Sequence, residues 1–219
     1  LDGLVIAGGR EYALLADQIE AAPLLAVAGL SNRLQPGLRQ WLLQAKPGAH
    51  LSNVSLAGRR DGMLRAQGKL LGIRFAPAGH SPGVDGMAGG FAGDGEGFVL
   101  QLDPGTRLKF DWPSGFGVAH DVTLDGALAG WREGEGWRIG TSALRIRGKD
   151  FGAHARGALW FQGDGTRPWM DLAAEVDEAP VTAAKGFWIH HKMSKAAVQW
   201  LDAALVGGKV RDGRGIVSG

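Results

Sequence analysis

The sequence predicts a mainly β protein, a meandering antiparallel sheet whose strands bend, with two amphipathic helices laid against it. Three observations predict it. From about residue 51 onward, short stretches alternate in polarity with period two, the pattern of a sheet with one apolar face. Glycine supplies 37 of 219 residues, well over twice the usual share of ~7 %, and glycine set within apolar alternation marks turns, bends and bulges. Two further stretches repeat their apolar residues at helical spacing instead.

The first helix is read from Leu34, Leu38, Trp41 and Leu42, which form one stripe before a stop at Lys46-Pro47-Gly48. In the sheet, Phe98, Leu100 and Leu102 share one parity, and Leu108 and Phe110 follow the turn Asp103-Pro104-Gly105, so these two runs read as a hairpin. The alternation returns in Val122, Leu124 and Leu128, in Trp137 and Ile139, in Leu144 and Ile146, from Ala153 through Leu159 to Phe161, and in Met170, Leu172, Ala174 and Val176. Turn clusters stand between them at Arg132–Gly136 and at Gln162–Thr166. About nine or ten strands result. The second helix has Ser194 as N-cap, a stripe of Ala197, Trp200, Leu201, Ala204 and Leu205, and Gly207-Gly208 as its C-cap. Each stripe either packs on the apolar face of the sheet or covers a groove there. The order strand, Trp-bearing helix, strand occurs at residues 3–58 and again at about 169–218, which invites a repeating-unit interpretation.

Composition narrows the chemistry. Lys+Arg of 24 against Asp+Glu of 22 leave a formal charge of +2, too little to imply nucleic acid. A basic bias near the C-terminus, Lys185, Lys192, Lys195, Lys209, Arg211 and Arg214, reads as a solvated edge. With no cysteine, disulfides and thiolate chemistry are excluded. No apolar run approaches the ~18 residues of a membrane span. The chain opens without Met and stops in a strand-like run at Gly215–Gly219, and residues 1–219 are expected to be one excerpt of a longer chain, with 1–60 and 61–219 as possible sub-units.

No catalytic, metal or cofactor site is expected. His50, His80, His120, His154 and His190 stand 30 or more residues apart, without metal-ligand spacing, and adjacent His190-His191 would point to opposite faces of a strand. No serine sits in a Gly-x-Ser-x-Gly elbow. The glycine-rich run Gly86–Gly93 has no Lys-Ser/Thr after it and reads as a flexible or bulged strand. Asp94, Glu96, Glu133 and Glu135 fall in turns, and no acid/base pair is placed on facing strands.

One resemblance is specific. The stretch from Phe187 to Val210, with Met193, Trp200-Leu201-Asp202 and Gly207-Gly208, resembles a segment of the YhdP family, in the AsmA-like group. Ile189-His190-His191 stands where the family carries an aromatic-Leu-Pro. The segment Ala76–Gly89, the run Gly97–Leu102 and the pair Gly130-Trp131 with Gly136-Trp137 agree in order. The resemblance implies a long curled antiparallel sheet with an open apolar groove, lying in the periplasm of diderm bacteria. It implies an inner-membrane anchor in a segment outside this chain, continuation into the rest of the same polypeptide, and conduction of phospholipid between the two membranes.

The residues themselves suit that task. A sheet open along one side, with Phe98, Leu100, Leu102, Leu108, Phe110, Val122, Leu124, Leu128, Ile139, Leu144, Ile146, Leu159 and Phe161 on its inner face, would shield phospholipid acyl chains. Two other readings stay open: a structural β module closed by its own side chains, and a glycan-acting enzyme using carboxylates such as Asp125 and Glu133.

Overall fold

The alternating stretches build one antiparallel sheet in a computed structural model that describes residues 2–32, 34–60, 62, 64–162, 169–187 and 193–219. The turn cluster expected at Gln162–Thr166 and the pair His190-His191 lie largely or wholly outside the described residues. The chain starts with β1 (Val5–Gly8) and β2 (Glu11–Glu20), detours through α1 (Ala21–Ala28) and α2 (Pro36–Ala45), and returns as β3 (Gly48–Arg59) beside β2. It continues through β4 (Leu64–Phe75), β5 (Gly83–Gly86), β6 (Gly89–Asp94), β7 (Gly97–Leu102) and β8 (Thr106–Asp111). Next come β9 (Ala119–Glu133), β10 (Gly136–Arg147), β11 (Gly152–Phe161) and β12 (Trp169–Val176). A second detour holds β13 (Ala179–Pro180), a 3-10 turn (Val181–Phe187), α3 (Lys195–Ala204) and β14 (Lys209–Val210), before β15 (Gly213–Ser218) pairs with β12.

The thirteen-stranded sheet is curled but unclosed, with β1 and β15 at its two edges. Most strands adjacent in sequence pair with each other, so the chain ascends and descends and its two margins differ. One margin carries short reversals, such as Asp94 to Gly97 and Glu133 to Gly136; the other carries both helical detours and the long loops Ala76–Pro82 and Trp112–Val118. The point between residues 60 and 61 falls in the reversal joining β3 to β4, which pair with each other.

The hairpin expected around Asp103-Pro104-Gly105 does not form. β7 pairs with β6 and β9, β8 pairs with β5 and β9, and β7 and β8 are two lengths of one rung rather than partners. Asp103 still makes its turn, with the Thr106 N–H donating to its carbonyl at 3.1 Å. The interruption is stitched to β5 and β6, which are likewise one rung broken at Met87-Ala88: the Thr106 hydroxyl accepts the Ala88 N–H at 2.7 Å, and the Asp103 N–H donates to the Ala88 carbonyl at 2.9 Å.

These breaks belong to a line that crosses the sheet. Register shifts occur in β3 between Ser52 and Ser55, where Asn53 has φ 50°, and in β10 between Thr141 and Leu144. Gly126 in β9 and Gly157 in β11 have φ of 134° and 132°, a region open to glycine and strained for other residues. A Cβ on Gly126 would collide with the Ala143 carbonyl oxygen, and one on Gly157 with that of Asp171. Bulges, breaks and positive-φ glycines follow one another from β3 to β11 and bend these strands along one line, and the sheet creases there. The shift in β10 also explains why Trp137 and Ile139 differ in parity from Leu144 and Ile146, yet all four share one face.

Two of the helices were legible. α2 starts with Pro36, whose fixed φ suits a first turn, and ends at Lys46 with φ 47°. α3 is capped by Ser194, whose hydroxyl accepts the Ala197 N–H at 3.1 Å. It ends with Leu205 as cap, earlier than Gly207-Gly208. α1, the sequence Ala-Ala-Pro-Leu-Leu-Ala-Val-Ala, was not legible because it is apolar all round and has no stripe.

Candidate functional site

Residues directly opposite in an antiparallel ladder point to the same side, so the registers define two faces. One row runs Ile6, Leu14, Leu56, Ala66, Gly93, Phe98, Gly130, Ile139, Leu159, Met170, each the Cα partner of the next. It crosses ten strands without a polar side chain. At ~4.8 Å between strands it is about 43 Å long, more than the ~30 Å hydrocarbon thickness of a bilayer, which two acyl chains span end to end.

Rows nearer the crease continue this face. Phe91, Leu100 and Leu128 form one, and Leu51, Leu70, Gly89 and Leu102 another. Leu108 stands opposite Val122, and Leu124 opposite Ile146. All thirteen residues proposed as lining fall on this face, but not in one environment. Leu100, Leu102, Val122 and Leu124 are buried with Leu70 in a core, with Leu102 and Leu124 at 3 % and 4 % exposure. Leu108, Phe110, Leu128, Ile139, Leu144, Ile146 and Leu159 are half-buried. Phe98, Phe161 and their neighbour Trp137 stay 36–41 % exposed near the margin of short reversals.

The opposite margin is closed by aromatic loops. The His120 ring stacks on Phe187 at 4.5 Å and 5°, and its Nε2 lies 2.9 Å from the Gly186 carbonyl oxygen. Phe151 meets Phe187 edge-on at 4.8 Å, and Phe116 does so at 5.5 Å. Phe110, expected to line a groove, instead packs with Trp112 and Phe116 in this cluster. No local pattern in the sequence announces it, since its members lie on three loops and two strands.

The helical stripes divide. In α2, Leu42 is buried and Trp41 meets Phe75 edge-on at 5.4 Å, whereas Leu38 is exposed and Leu34 precedes the helix. In α3, Ala197, Leu201 and Leu205 are half-buried, but Trp200 is 68 % exposed.

The other face carries the charged pairs, interspersed with exposed apolar side chains such as Leu15, Val99, Trp131 and Trp169. Arg147 pairs with Asp125 at 3.4 Å and Arg138 with Glu133 at 2.7 Å, while the Arg138 guanidinium lies 5.5 Å from the centre of the Trp160 ring. Asp125 also accepts the Gly105 N–H at 2.7 Å. These two carboxylates sit eight residues apart on β9, about 26 Å at ~3.3 Å per residue, far beyond the ~5–9.5 Å of a glycosidase pair. Among the described residues no group of three His, Asp or Glu side chains could hold a metal ion, and no helix is long and apolar enough to cross a membrane.

A single curled sheet, unclosed at its edges, with one apolar face running its full width, defines a β-groove protein rather than a barrel or a sandwich. The chain belongs to the YhdP family: the model of that family, described as YhdP protein, matches residues 3–219. That is a bacterial envelope family of the AsmA-like group. No curated protein and no solved structure matched the chain.

Proposed function

We propose that this chain is a length of wall along which phospholipid acyl chains are held and passed, in the periplasm, as part of a longer polypeptide anchored in the inner membrane and carrying lipid between the two membranes. The observation that carries the reading is surface left uncovered. A compact globular chain of 23.0 kDa exposes about 9,600 Å², whereas this one exposes 14142 Å². On the apolar face the exposed side chains include Ile6, Phe98, Trp137 and Phe161, and no large side chain is fully buried among the described residues.

Apolar area of that extent is favourable to cover, at about 25 cal/mol per Å². Acyl chains suit the cover because the row from Ile6 to Met170 offers shape and apolarity without a polar anchor. With each methylene worth about 0.8 kcal/mol, an even track retains a tail yet presents no deep trap along its length. Nothing in this task calls for a catalytic residue or cofactor.

A second reading, a β module closed by its own side chains, is favoured by the burial of Leu100, Leu102, Val122 and Leu124. Native mass spectrometry and organic extraction of the chain, purified from bacteria without detergent, separate the two. Phospholipid at a reproducible ratio supports the conduit. A lipid-free chain with a cooperative melt supports the closed module.

A further inference from the structure

We infer that the charge-bearing face carries a binding site for a neutral saccharide, separate from the apolar track and independent of the lipid reading. A shallow hollow of about 740 Å³, open to solvent along the sheet surface, lies there, wide enough to seat a sugar ring against the strands. Two register rows place it. Ser55, Gln67, Ala92, Val99 and Ala129 are successive Cα partners, and so are Ala57, Arg65 and Asp94 in the next row, with Gly97 opposite Trp131. The apolar row of Leu56, Ala66, Gly93 and Phe98 runs between them and points the other way.

The hollow exists because the side chains at its floor are small. Ala92 and Ala129 flank Val99, Ala57 lies at the end of the next row, and Gly97 adds no side chain opposite Trp131. The rim supplies chemistry of three kinds. Trp131, 40 % exposed, offers an indole surface on which the C–H face of a sugar ring can stack. Gln67 offers an amide that both donates and accepts. Asp94 and Arg65 stand directly opposite each other across β4 and β6.

Asp94 is held in place before any ligand arrives. Its Oδ1 accepts the Glu96 N–H at 2.8 Å and the Gly97 N–H at 3.0 Å, which leaves Oδ2 as an acceptor for a hydroxyl. The Arg65 guanidinium has five donors in a fixed fork. Because the two charges oppose, the site as a whole is close to neutral and favours no ion. A hydroxyl-rich ring with one apolar face satisfies indole, carboxylate, amide and guanidinium together. An acyl chain offers no hydrogen-bond partner to the last three. Asp94 is the one carboxylate among the lining residues, so the site binds glycan and lacks the pair that would cleave it.

The test is a titration of the isotope-labelled chain with chitotriose and, separately, maltotriose, followed by amide and indole N–H resonances. The expected result is saturable shifts of the Trp131 indole and of the Gly97 and Ala129 amides with one of the two sugars. Trp131→Ala lowers the affinity at least about tenfold, about 1.4 kcal/mol. Trp131→Phe retains measurable binding, and Trp169→Ala, also exposed, leaves it unchanged. If Trp131→Ala does not fold, Gln67→Ala and Asp94→Asn carry the test, each weakening binding several-fold. Absence of saturable shifts with both sugars overturns the inference, as do folded Trp131→Ala or Gln67→Ala and Asp94→Asn chains that bind like the parent. Lipid content of the chain bears on neither outcome.

Discussion

Asp94 shows how much one side chain settles in a reversal. The Glu96 and then the Gly97 N–H, donated to its carboxylate, hold its pKa below the ordinary value, with a smaller lowering from Arg65. The carboxylate form is therefore favoured in the folded state. Its contribution is fully present above the unfolded-state value of ~3.9 and is lost as pH falls through the lower folded value. Carbon-detected titration should give Asp94 a midpoint below ~3.9, with the Glu96 and Gly97 amides moving in step. A midpoint at or above that value contradicts the assignment.

Burial also separates lining residues that the sequence treats alike. Alternation marks Leu102 and Ile139 as members of one face, and the registers agree. It carries no information about depth, because depth depends on which rungs the crease brings together. Leu102→Asp buries a carboxylate without a partner and should cost several kcal/mol, read as a large drop in urea midpoint. Ile139→Asp, at a half-buried position, should lower the urea midpoint distinctly less than Leu102→Asp and reduce the phospholipid that co-purifies. Equal loss of stability in both variants would contradict this division of the face into core and track.

At the scale of elements, period-two patterning exposed most strands, and helical spacing exposed α2 and α3. Three features escaped it. α1 lacks a stripe, and β1 lies within a stretch that reads only as a strand before a helix. The third is the expected hairpin of β7 and β8, because a Pro-Gly turn between alternating runs normally reverses the chain. It lies on the crease, where turn residues interrupt a strand that then continues in the same direction, as they also do in Gly86–Gly93, whose glycines mark a bulged strand. Only the partners of β7 and β8 on β5, β6 and β9 reveal this. Gly157→Ala tests the crease directly. Positive φ and the collision with the Asp171 carbonyl oxygen should together cost more than ~1 kcal/mol. Gly95→Ala, with open space around it, should cost a few tenths at most. Chemical denaturation of the two variants checks the contrast, and a Gly157→Ala chain as stable as its parent would mean that the crease is not under that constraint.

For the molecule as a whole, the sequence told which residues share a face, and the family resemblance told what kind of protein arranges them so. Neither told that the helical margin is sealed by His120, Phe151 and Phe187 while Phe98, Trp137 and Phe161 remain accessible on the other side. Nor did they show a hollow on the charge-bearing face, since small residues at Ala57, Ala92 and Ala129 become one floor only through the registers of five strands. The central claim is that acyl chains lie along the apolar face, on the side of the crease towards the short reversals. Its most direct measurement is paramagnetic broadening of methyl resonances by a phospholipid spin-labelled on its acyl chain. The account predicts broadening of Ile139, Leu159, Leu128 and Leu14, with Val99 on the charge-bearing face left sharp. Broadening of Val99 with Ile139 and Leu159 spared, or no broadening at any of them, would contradict it.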